Sequence, residues 1–368
     1  MCKQRYEIGS NFHLSENEIL EIKNFFNANI HDSARIKFLS SGRQAICACL
    51  LDIEKHHAVN KKALVPEYTC QSVLAGFLEM GYELAFYQIN NKFNLEISRL
   101  NSLLREKEPD VLLFHPYFGF DTIIQDEKLD KKSIQVIYDA TQSWASDFVY
   151  PFSDYKIISL RKWAALPDGA IAEKIKGQFC SLMIESEQKK LVNDTLNAYT
   201  LKEKYLKYQI GEKSEMLQAF ANIKQTFFDN RFALKTMTTF SKKMFAKITN
   251  KLTLDAWHRQ RRDNYRTLYN YSNWGKIGDP YFKVLQEVPL FFPLNVKNME
   301  RQDFQSYLAK NNVYCPIIWP IPKNVEITPI SNKLREIRDN CLCIPIDQRY
   351  SEKDMQYILQ LVEELNVS

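Results

Sequence analysis

The stretch Lys62–Asn90, KALVPEYTCQSVLAGFLEMGYELAFYQIN, decides the fold. The run "KALVPEY" is a short apolar segment that ends at a proline turn, as a strand would. The next run, "QSVLAGFLEMGY", has the apolar spacing of one helix face and ends at Gly81. A second apolar run, "ELAFYQIN", follows at once. A helix between two such strands predicts that the strands lie parallel, because the crossover returns the chain to the same end of the sheet.

The same alternation continues along the chain. A helix is predicted in "NLEISRLNSLLREK", with Asn94 as its cap, and further strands in "DVLLFHPYFG", "SIQVIYDAT", "DYKIISLRK" and "GAIAEK". Strands that are apolar along their whole length are typical of a sheet buried on both faces. We therefore expect an α/β fold, with a mostly parallel sheet between two layers of helices.

The pattern changes near residue 185. Residues 185–270 are charged and helical, and a smaller α/β segment follows them. Its predicted strands are "VPLFFPLNV", "VYCPIIWP" and "LCIPID", and its predicted helices are "NMERQDFQSYLAKNN", "NKLREIRDNC" and "SEKDMQYILQLVEEL". We expect a large domain at 1–245, which includes the helical connection, and a small C-terminal α/β domain at 246–368.

Composition excludes several classes of protein. The chain has 368 residues, is 45% hydrophobic and 25% charged, and carries a formal net charge of only +5, as an ordinary globular protein does. The arginines of 257–266 are interpreted as a solvated helix face, so no nucleic-acid partner is expected. The eight cysteines include no CxxC pair and are expected to be reduced, with a zinc site as a minor alternative. Neither a signal peptide nor a membrane span is evident, which favours the cytoplasm.

The segment Ser40–Leu50, SSGRQAICACL, places a Ser-Ser-Gly turn before an apolar helix. The first N–H groups of a helix lack intrahelical partners and bind a phosphate well, and Gly42 lets the backbone approach it. Such a serine is also the usual residue for capping a helix. Taken alone, the motif fits either role.

A carboxylate closes the apolar strand in "VIYDATQSW". Asp139 lies where ligands meet parallel sheets, at the carboxyl end of the strands. It could cap a helix, or it could keep a proton on a pyridine nitrogen. Gln142, three residues later, could reach a polar substituent of the same ring.

A hydroxyl and an amine end the next strand, in "ISLRKWAALPDGAIAEK" at 158–174. Ser159 suits a phosphate, and Lys162 is followed by the apolar Trp163 and a Pro-Asp-Gly turn. An amine nucleophile must lose its proton, which apolar surroundings and the neighbouring Arg161 favour. Lys174 lies in a charged run that is expected to be solvated. A phosphate turn, an acid, a hydroxyl and an amine, in this order, are what pyridoxal phosphate requires.

Across nearly its whole length the chain resembles the DegT/DnrJ/StrS sugar aminotransferases, a branch of the fold type I pyridoxal phosphate enzymes. "SSGRQAI" is similar to the family's phosphate loop, "VPEYTCQSV" to its Val-Pro-x-x-Thr strand and helix, and "VIYDATQSWAS" to its Asp-Ala-x-Gln segment. "SLRKWAALPDGAIA" resembles the segment with the cofactor lysine, and "CLCIPIDQRYSEKDM" the closing segment.

The resemblance implies a cytoplasmic homodimer that binds pyridoxal 5'-phosphate and no metal. It would transfer an amino group from an amino acid such as glutamate to a keto sugar, which is expected to be nucleotide-linked, for polysaccharide or related sugar biosynthesis. Another enzyme of this fold, such as a sugar dehydratase, and a degenerate non-catalytic member remain alternatives. Cys70 stands where many members stack an aromatic ring on the cofactor, so Cys70, Tyr68 or a more distant ring would cover that face. The implied site comprises Lys162 and Asp139 as catalytic residues, with cofactor contacts from Ser41, Gly42, Arg43, Cys70, Gln142 and Ser159.

Overall fold

A computed structural model describes residues 6–26, 30–229, 233–320 and 331–367. The chain forms two compact units, each built from separate stretches. Unit 1 consists mainly of Asn11–Ala58 and Tyr155–Leu254, together with residues up to Glu7. Unit 2 consists of Ile8–Ser10, Val59–Asp154 and Asp255–Ser368. The boundary expected between residues 245 and 246 stays a prediction.

Unit 1 contains three antiparallel strands. Strand β1 (Ile36–Leu39) pairs with β9 (Ala170–Lys174), which also pairs with β8 (Tyr155–Ser159). Leu39 and Ser159 lie on either side of Ala170 in this register. The helices of this unit are α1 (Glu16–Lys23), α2 (Gly42–His56), α5 (Lys189–Glu203), α6 (Lys213–Asp229) and α7 (Thr239–Ile248).

A buried carboxylate fixes α2 to these strands. Asp52 is 0% exposed and accepts hydrogen bonds from Tyr155 Oη and Lys174 Nζ, both at 2.6 Å, and from the Cys180 N–H at 2.5 Å. Burial alone would raise the pKa of Asp52, but these bonds lower it below its usual value. The expectation that Lys174 is solvated is wrong, because its side chain is only 14% exposed and bridges β9 to α2.

Unit 2 holds the parallel strands. Their spatial order is β7 (Gln135–Asp139), β5 (Val111–Phe114), β2 (Lys62–Pro66) and β3 (Glu83–Tyr87), and every neighbouring pair is parallel. Helices α3 (Gln71–Glu79) and α4 (Ile97–Lys107) belong to the same unit, and two short strands, β4 (Leu95–Glu96) and β6 (Ile123–Ile124), pair with each other. The predicted α/β class with a mostly parallel sheet is confirmed.

The C-terminal part of unit 2 adds a small antiparallel sheet. Its strands lie in the order β10 (Gly278–Pro280), β11 (Phe292–Val296) and β12 (Cys341–Ile344). The helices of this part are α8 (Lys251–Tyr269), which begins in unit 1, α9 (Arg301–Lys310), α10 (Asn332–Asn340) and α11 (Glu352–Val367). Among the residues described, no helix is long and apolar enough to cross a membrane.

Two local predictions are wrong. The helix expected to be capped by Asn94 begins only at Ile97, with Glu96 as its N-cap, because Leu95 and Glu96 pair with β6. The strand expected in "VYCPIIWP" is reduced to one bridge between Val313 and Ile8. The prolines of that segment carry no N–H to continue a ladder of hydrogen bonds.

Candidate functional site

The start of α2 in unit 1 has the form expected of an anion site. Ser41 is the N-cap, and its side chain accepts from the Gln44 N–H at 3.4 Å. In an α-helix, the N–H groups of Gly42 and Arg43 have no carbonyl one turn earlier to bond. The positive end of the helix dipole therefore points outward from Ser41, Gly42 and Arg43.

Ser159 packs directly against this helix start. A Cβ atom added at Gly42 would lie 3.1 Å from Ser159 Cβ and 3.6 Å from Ser159 Oγ. A side chain at residue 42 would therefore crowd Ser159, which would have to shift by a few tenths of an ångström, and glycine avoids this. Two segments that the sequence marks separately as phosphate ligands, far apart along the chain, thus meet at one place.

Hydrogen bonds hold the Ser40–Ser41 turn in place. The Ser40 N–H donates to the Lys235 carbonyl at 3.0 Å, and the Gly169 N–H donates to the Ser40 carbonyl at 2.9 Å. Gln44 Oε1 accepts from Ser40 Oγ at 3.0 Å and from the Lys235 N–H at 2.9 Å. These bonds fix the turn that leads into the first residues of α2.

Lys162 follows β8 by one short turn. It ends a 3-10 helix that spans Leu160–Lys162, between the buried side chains of Leu160 and Trp163. The Lys162 side chain itself is exposed. The expectation that burial favours its neutral amine is therefore wrong, although its place just beyond the strand end is as predicted.

Asp139 ends β7 and is buried. Its Oδ1 accepts from the Thr141 N–H at 2.9 Å, which fixes the plane of the carboxylate. Phe114 of β5 pairs with Tyr138 of β7, so the residues that follow this pair lie at the same edge of the sheet. A buried acid at this edge can hold a protonated ring nitrogen, because the charged form needs an anionic partner.

Gln142 is oriented by the loop that follows β5. Its Oε1 accepts from the Phe118 N–H at 2.6 Å, and the side chain is buried. With the amide oxygen used in this way, the NH₂ end remains as the donor. A phenolic oxygen is an acceptor, so this orientation suits the role implied for Gln142.

The loop that follows β2 contains Tyr68 and Cys70, two of the candidates for covering one face of the cofactor. Tyr68 is buried, and its ring lies 5.4 Å from Trp319 and 5.6 Å from Tyr117 between centroids. Cys70, the N-cap of α3, is partly exposed. The ring of Tyr68 is thus engaged in an aromatic cluster, whereas Cys70 is accessible, and the cover of the cofactor's face by Cys70, Tyr68 or a more distant ring stays a prediction.

Sequence reasoning missed His115. It directly follows β5, is buried, and places Nε2 3.1 Å from Thr69 Oγ1. Its ring lies 4.6 Å from that of Tyr117 and 5.6 Å from that of Trp319. Burial lowers the pKa of His115 to about 4, so its imidazole is neutral near pH 7. Its position after a buried strand, like that of Asp139, is the signal that could have identified it.

The candidate residues fall into two groups. The group in unit 2 lies at the carboxyl ends of the parallel strands and consists of His115, Asp139 and Cys70. The group in unit 1 lies at the start of α2 and the end of β8 and consists of Ser41, Gly42, Arg43, Ser159 and Lys162. Within the described ranges, no group of three His, Cys, Asp or Glu side chains is placed to hold a metal ion. The seven cysteines described are free thiols.

Neither a family model nor a curated protein matches the sequence. Solved structures do match its fold. The sugar aminotransferase CalS13 from Micromonospora echinospora superposes with a TM-score of 0.64 at 11% identity, over 96% of this chain and 98% of that one. The Helicobacter pylori aminotransferase PseC, involved in the biosynthesis of pseudoaminic acid, gives a TM-score of 0.64 at 10% identity, over 98% and 99% of the two chains.

A DegT DnrJ EryC1 StrS aminotransferase from Brucella abortus gives a TM-score of 0.60 at 13% identity, over 96% of this chain and 91% of that one. The likeness extends over nearly the full length of each of these proteins. The chain therefore has the fold of the sugar aminotransferases, as the sequence resemblance predicted.

Proposed function

We propose that this chain is a pyridoxal-phosphate-dependent aminotransferase that transfers an amino group from an amino acid, such as glutamate, to a keto sugar. The sugar would be nucleotide-linked and would serve polysaccharide or related sugar biosynthesis. The proposal draws on the fold, on the residues at the strand ends and on the sequence resemblance.

One observation carries the proposal. Ser159 packs against the first residue of α2, where a Cβ atom at Gly42 would come within 3.1 Å of it. The arrangement joins a serine hydroxyl, the capping serine Ser41 and the N–H groups of a helix start. These are donors of the kind that a phosphate monoester requires.

The residues present fit pyridoxal phosphate on chemical grounds. When bound, this cofactor supplies an electron sink that stabilises negative charge on a substrate carbon. Ser41, Gly42, Arg43 and Ser159 would hold its phosphate through hydroxyl and backbone N–H donors. Asp139, buried and fixed by the Thr141 N–H, would keep the pyridine nitrogen protonated.

The remaining roles follow from donor and acceptor chemistry. Gln142 would donate from its NH₂ group to the phenolic oxygen of the cofactor, since its own Oε1 already accepts from the Phe118 N–H. Cys70 would cover one face of the ring. Lys162 would hold the cofactor through its amine, and the same amine, when free, would move a proton at the substrate carbon. The exposure of its side chain leaves it able to reach a ligand.

We propose further that the enzyme is a cytoplasmic homodimer, without a nucleic-acid or membrane partner, and that 1–245 and 246–368 form its large and small domains. A sugar dehydratase of the same fold is the second candidate. The shared fold is compatible with both enzymes, since fold alone does not determine the reaction.

A half-reaction tests the proposal. The purified full chain, loaded with pyridoxal phosphate, is mixed with glutamate and other amino acids in the absence of any sugar. Transamination converts bound cofactor to its amine form and releases one equivalent of the oxo acid. If the cofactor binds but no amino acid converts it, the aminotransferase proposal fails and the dehydratase gains support.

Asp139→Asn is the matched variant for this assay. An amide cannot hold the pyridine proton as a carboxylate does, so conversion should slow by about 100-fold or more, the range seen when a charge-stabilising group is removed. The cofactor content should change little, because the phosphate contacts remain. Near-normal conversion would remove Asp139 from its assigned role.

A further inference from the structure

The guanidinium of Arg338 is buried and has no hydrogen-bond partner among the residues that the structure describes. Arg338 lies near the end of α10 and is 7% exposed. Its Nε, Nη1 and Nη2 atoms are all enclosed, and none makes a hydrogen bond to any residue that the structure describes. A guanidinium carries five N–H donors, and leaving a charge of this kind unpaired in the interior costs several kcal/mol.

Glu67, a carboxylate that acts electrostatically on Arg338, is already engaged. Glu67 is buried, and its Oε1 accepts from Ser331 Oγ at 2.5 Å while its Oε2 accepts from the Ser331 N–H at 3.4 Å. No ion pair within 4 Å joins Arg338 to a carboxylate among the described residues. Glu67, Tyr68 and the exposed Asp339 are near enough to influence Arg338 but do not satisfy its donors.

The position of Arg338 connects it to the candidate site. Glu67 follows β2 directly and lies three residues before Cys70, in the same loop. Ser331, the N-cap of α10, holds Glu67, so α10 is fixed beside that loop. The group around Arg338 thus adjoins the carboxyl ends of the parallel strands of unit 2.

We propose that Arg338 binds an oxyanion of a substrate, either the carboxylate of the amino-acid donor or a phosphate of the sugar nucleotide. The proposal rests on the proposed function for the identity of these two substrates. Arginine matches both groups, because its planar fork donates two parallel hydrogen bonds to a carboxylate or a phosphate. Buried polar groups are almost always hydrogen-bonded, and an oxyanion supplies the acceptors that the described residues do not provide for Arg338.

Arg335 provides the matched control. It lies on α10 three residues earlier and is exposed. Arg338→Met and Arg335→Met therefore remove the same group from the same helix, once from the buried face and once from the exposed face. Methionine preserves the length and helix preference of the side chain.

The test titrates the full chain with two anions that cannot undergo transamination, glutarate and inorganic phosphate, by calorimetry and by the shift in melting temperature. The cofactor is loaded first, to fill any phosphate site at the start of α2. The wild type and Arg335→Met should bind at least one anion equally, and Arg338→Met should bind it about 10- to 100-fold more weakly, the equivalent of one or two hydrogen bonds to a charged group. Glutarate binding assigns the donor carboxylate, and phosphate binding assigns the sugar nucleotide.

Stability without anion separates this role from a structural one. Removing an unpaired buried charge should leave the melting temperature of Arg338→Met equal to or above that of Arg335→Met. A lower melting temperature, or failure of Arg338→Met to fold, would show that Arg338 has an internal partner and would overturn the inference. Equal binding by all three proteins, or no binding by the wild type, would also overturn it. Because no turnover is needed, the result stands even if the half-reaction with amino acids fails.

Discussion

Acid should destabilise the protein through His115. The imidazole has a pKa of about 4 in the folded chain against 6.5 for the free side chain, because it is buried. The unfolded chain therefore binds more protons than the native chain between pH 6.5 and about 4, and stability falls as the pH drops through that window. At 1.36 kcal/mol per pKa unit, the full loss is about 3 kcal/mol, of which about 2 kcal/mol accrues between pH 7.5 and 5.

The matched experiment compares urea unfolding at pH 7.5 and 5 in three proteins, monitored by circular dichroism. His115→Phe keeps a ring against Tyr117 and Trp319 but cannot titrate. His57→Gln removes an exposed histidine as the control. Loss of the hydrogen bond to Thr69 destabilises His115→Phe by the same amount at both pH values, so it cancels in the comparison.

Between pH 7.5 and 5, the wild type and His57→Gln should each lose about 2 kcal/mol more stability than His115→Phe. Apart from residues 57 and 115, the three proteins carry the same ionisable groups, so those groups do not affect the difference. An equal loss in all three would refute the assignment of a buried, neutral imidazole at His115.

Three further predictions follow from the same contacts. Gly42→Ala should keep or raise stability, since alanine favours a helix, yet it should weaken pyridoxal phosphate binding about tenfold by displacing Ser159. The control is Gly275→Ala, which should bind the cofactor normally because a Cβ atom there meets nothing within 4 Å. Equal affinities of the two variants would contradict the crowding argument. Borohydride reduction should leave a phosphopyridoxyl mass on the peptide that contains Lys162. Lys162→Ala should lose this label, and the control Lys156→Ala should keep it. A label on another peptide would reject the assignment of Lys162. Asp52→Asn should lower the free energy of unfolding in urea by about 3–5 kcal/mol, because it breaks a buried pair with Lys174. The control Glu173→Gln, at a surface pair, should lower it by under about 1 kcal/mol. Similar losses would show that Asp52 is not held as described.

Features set by neighbouring residues could be predicted from the sequence. The serine before α2 and the glycine that begins it, the buried strand that ends at Asp139 and the turn after Ser159 each carry their signal within a few residues, and each is found where expected. The class of fold could be predicted for the same reason, because strand and helix periods alternate locally.

Features set by distant partners could not be predicted. The charged run around Lys174 looks solvated because its partner, Asp52, lies 122 residues earlier. The contact between Gly42 and Ser159 depends in the same way on how the chain returns. Arg338 is an intermediate case, since Leu334, Ile337 and Arg338 follow the spacing of one buried helix face. Only the structure shows that no described residue accepts a hydrogen bond from its guanidinium.

The pairing of β1 with β9 has a consequence for the order in which the protein is made. Ile36 pairs with Glu173, so the first strand of unit 1 leaves the ribosome long before its partner strand β9 has been synthesised. Until then, β1 offers an open edge to other chains. Pairings so distant in sequence raise the contact order and slow folding. A nascent chain that stops short of β9 should therefore depend on chaperones, and fragments that end before residue 170 should aggregate rather than fold.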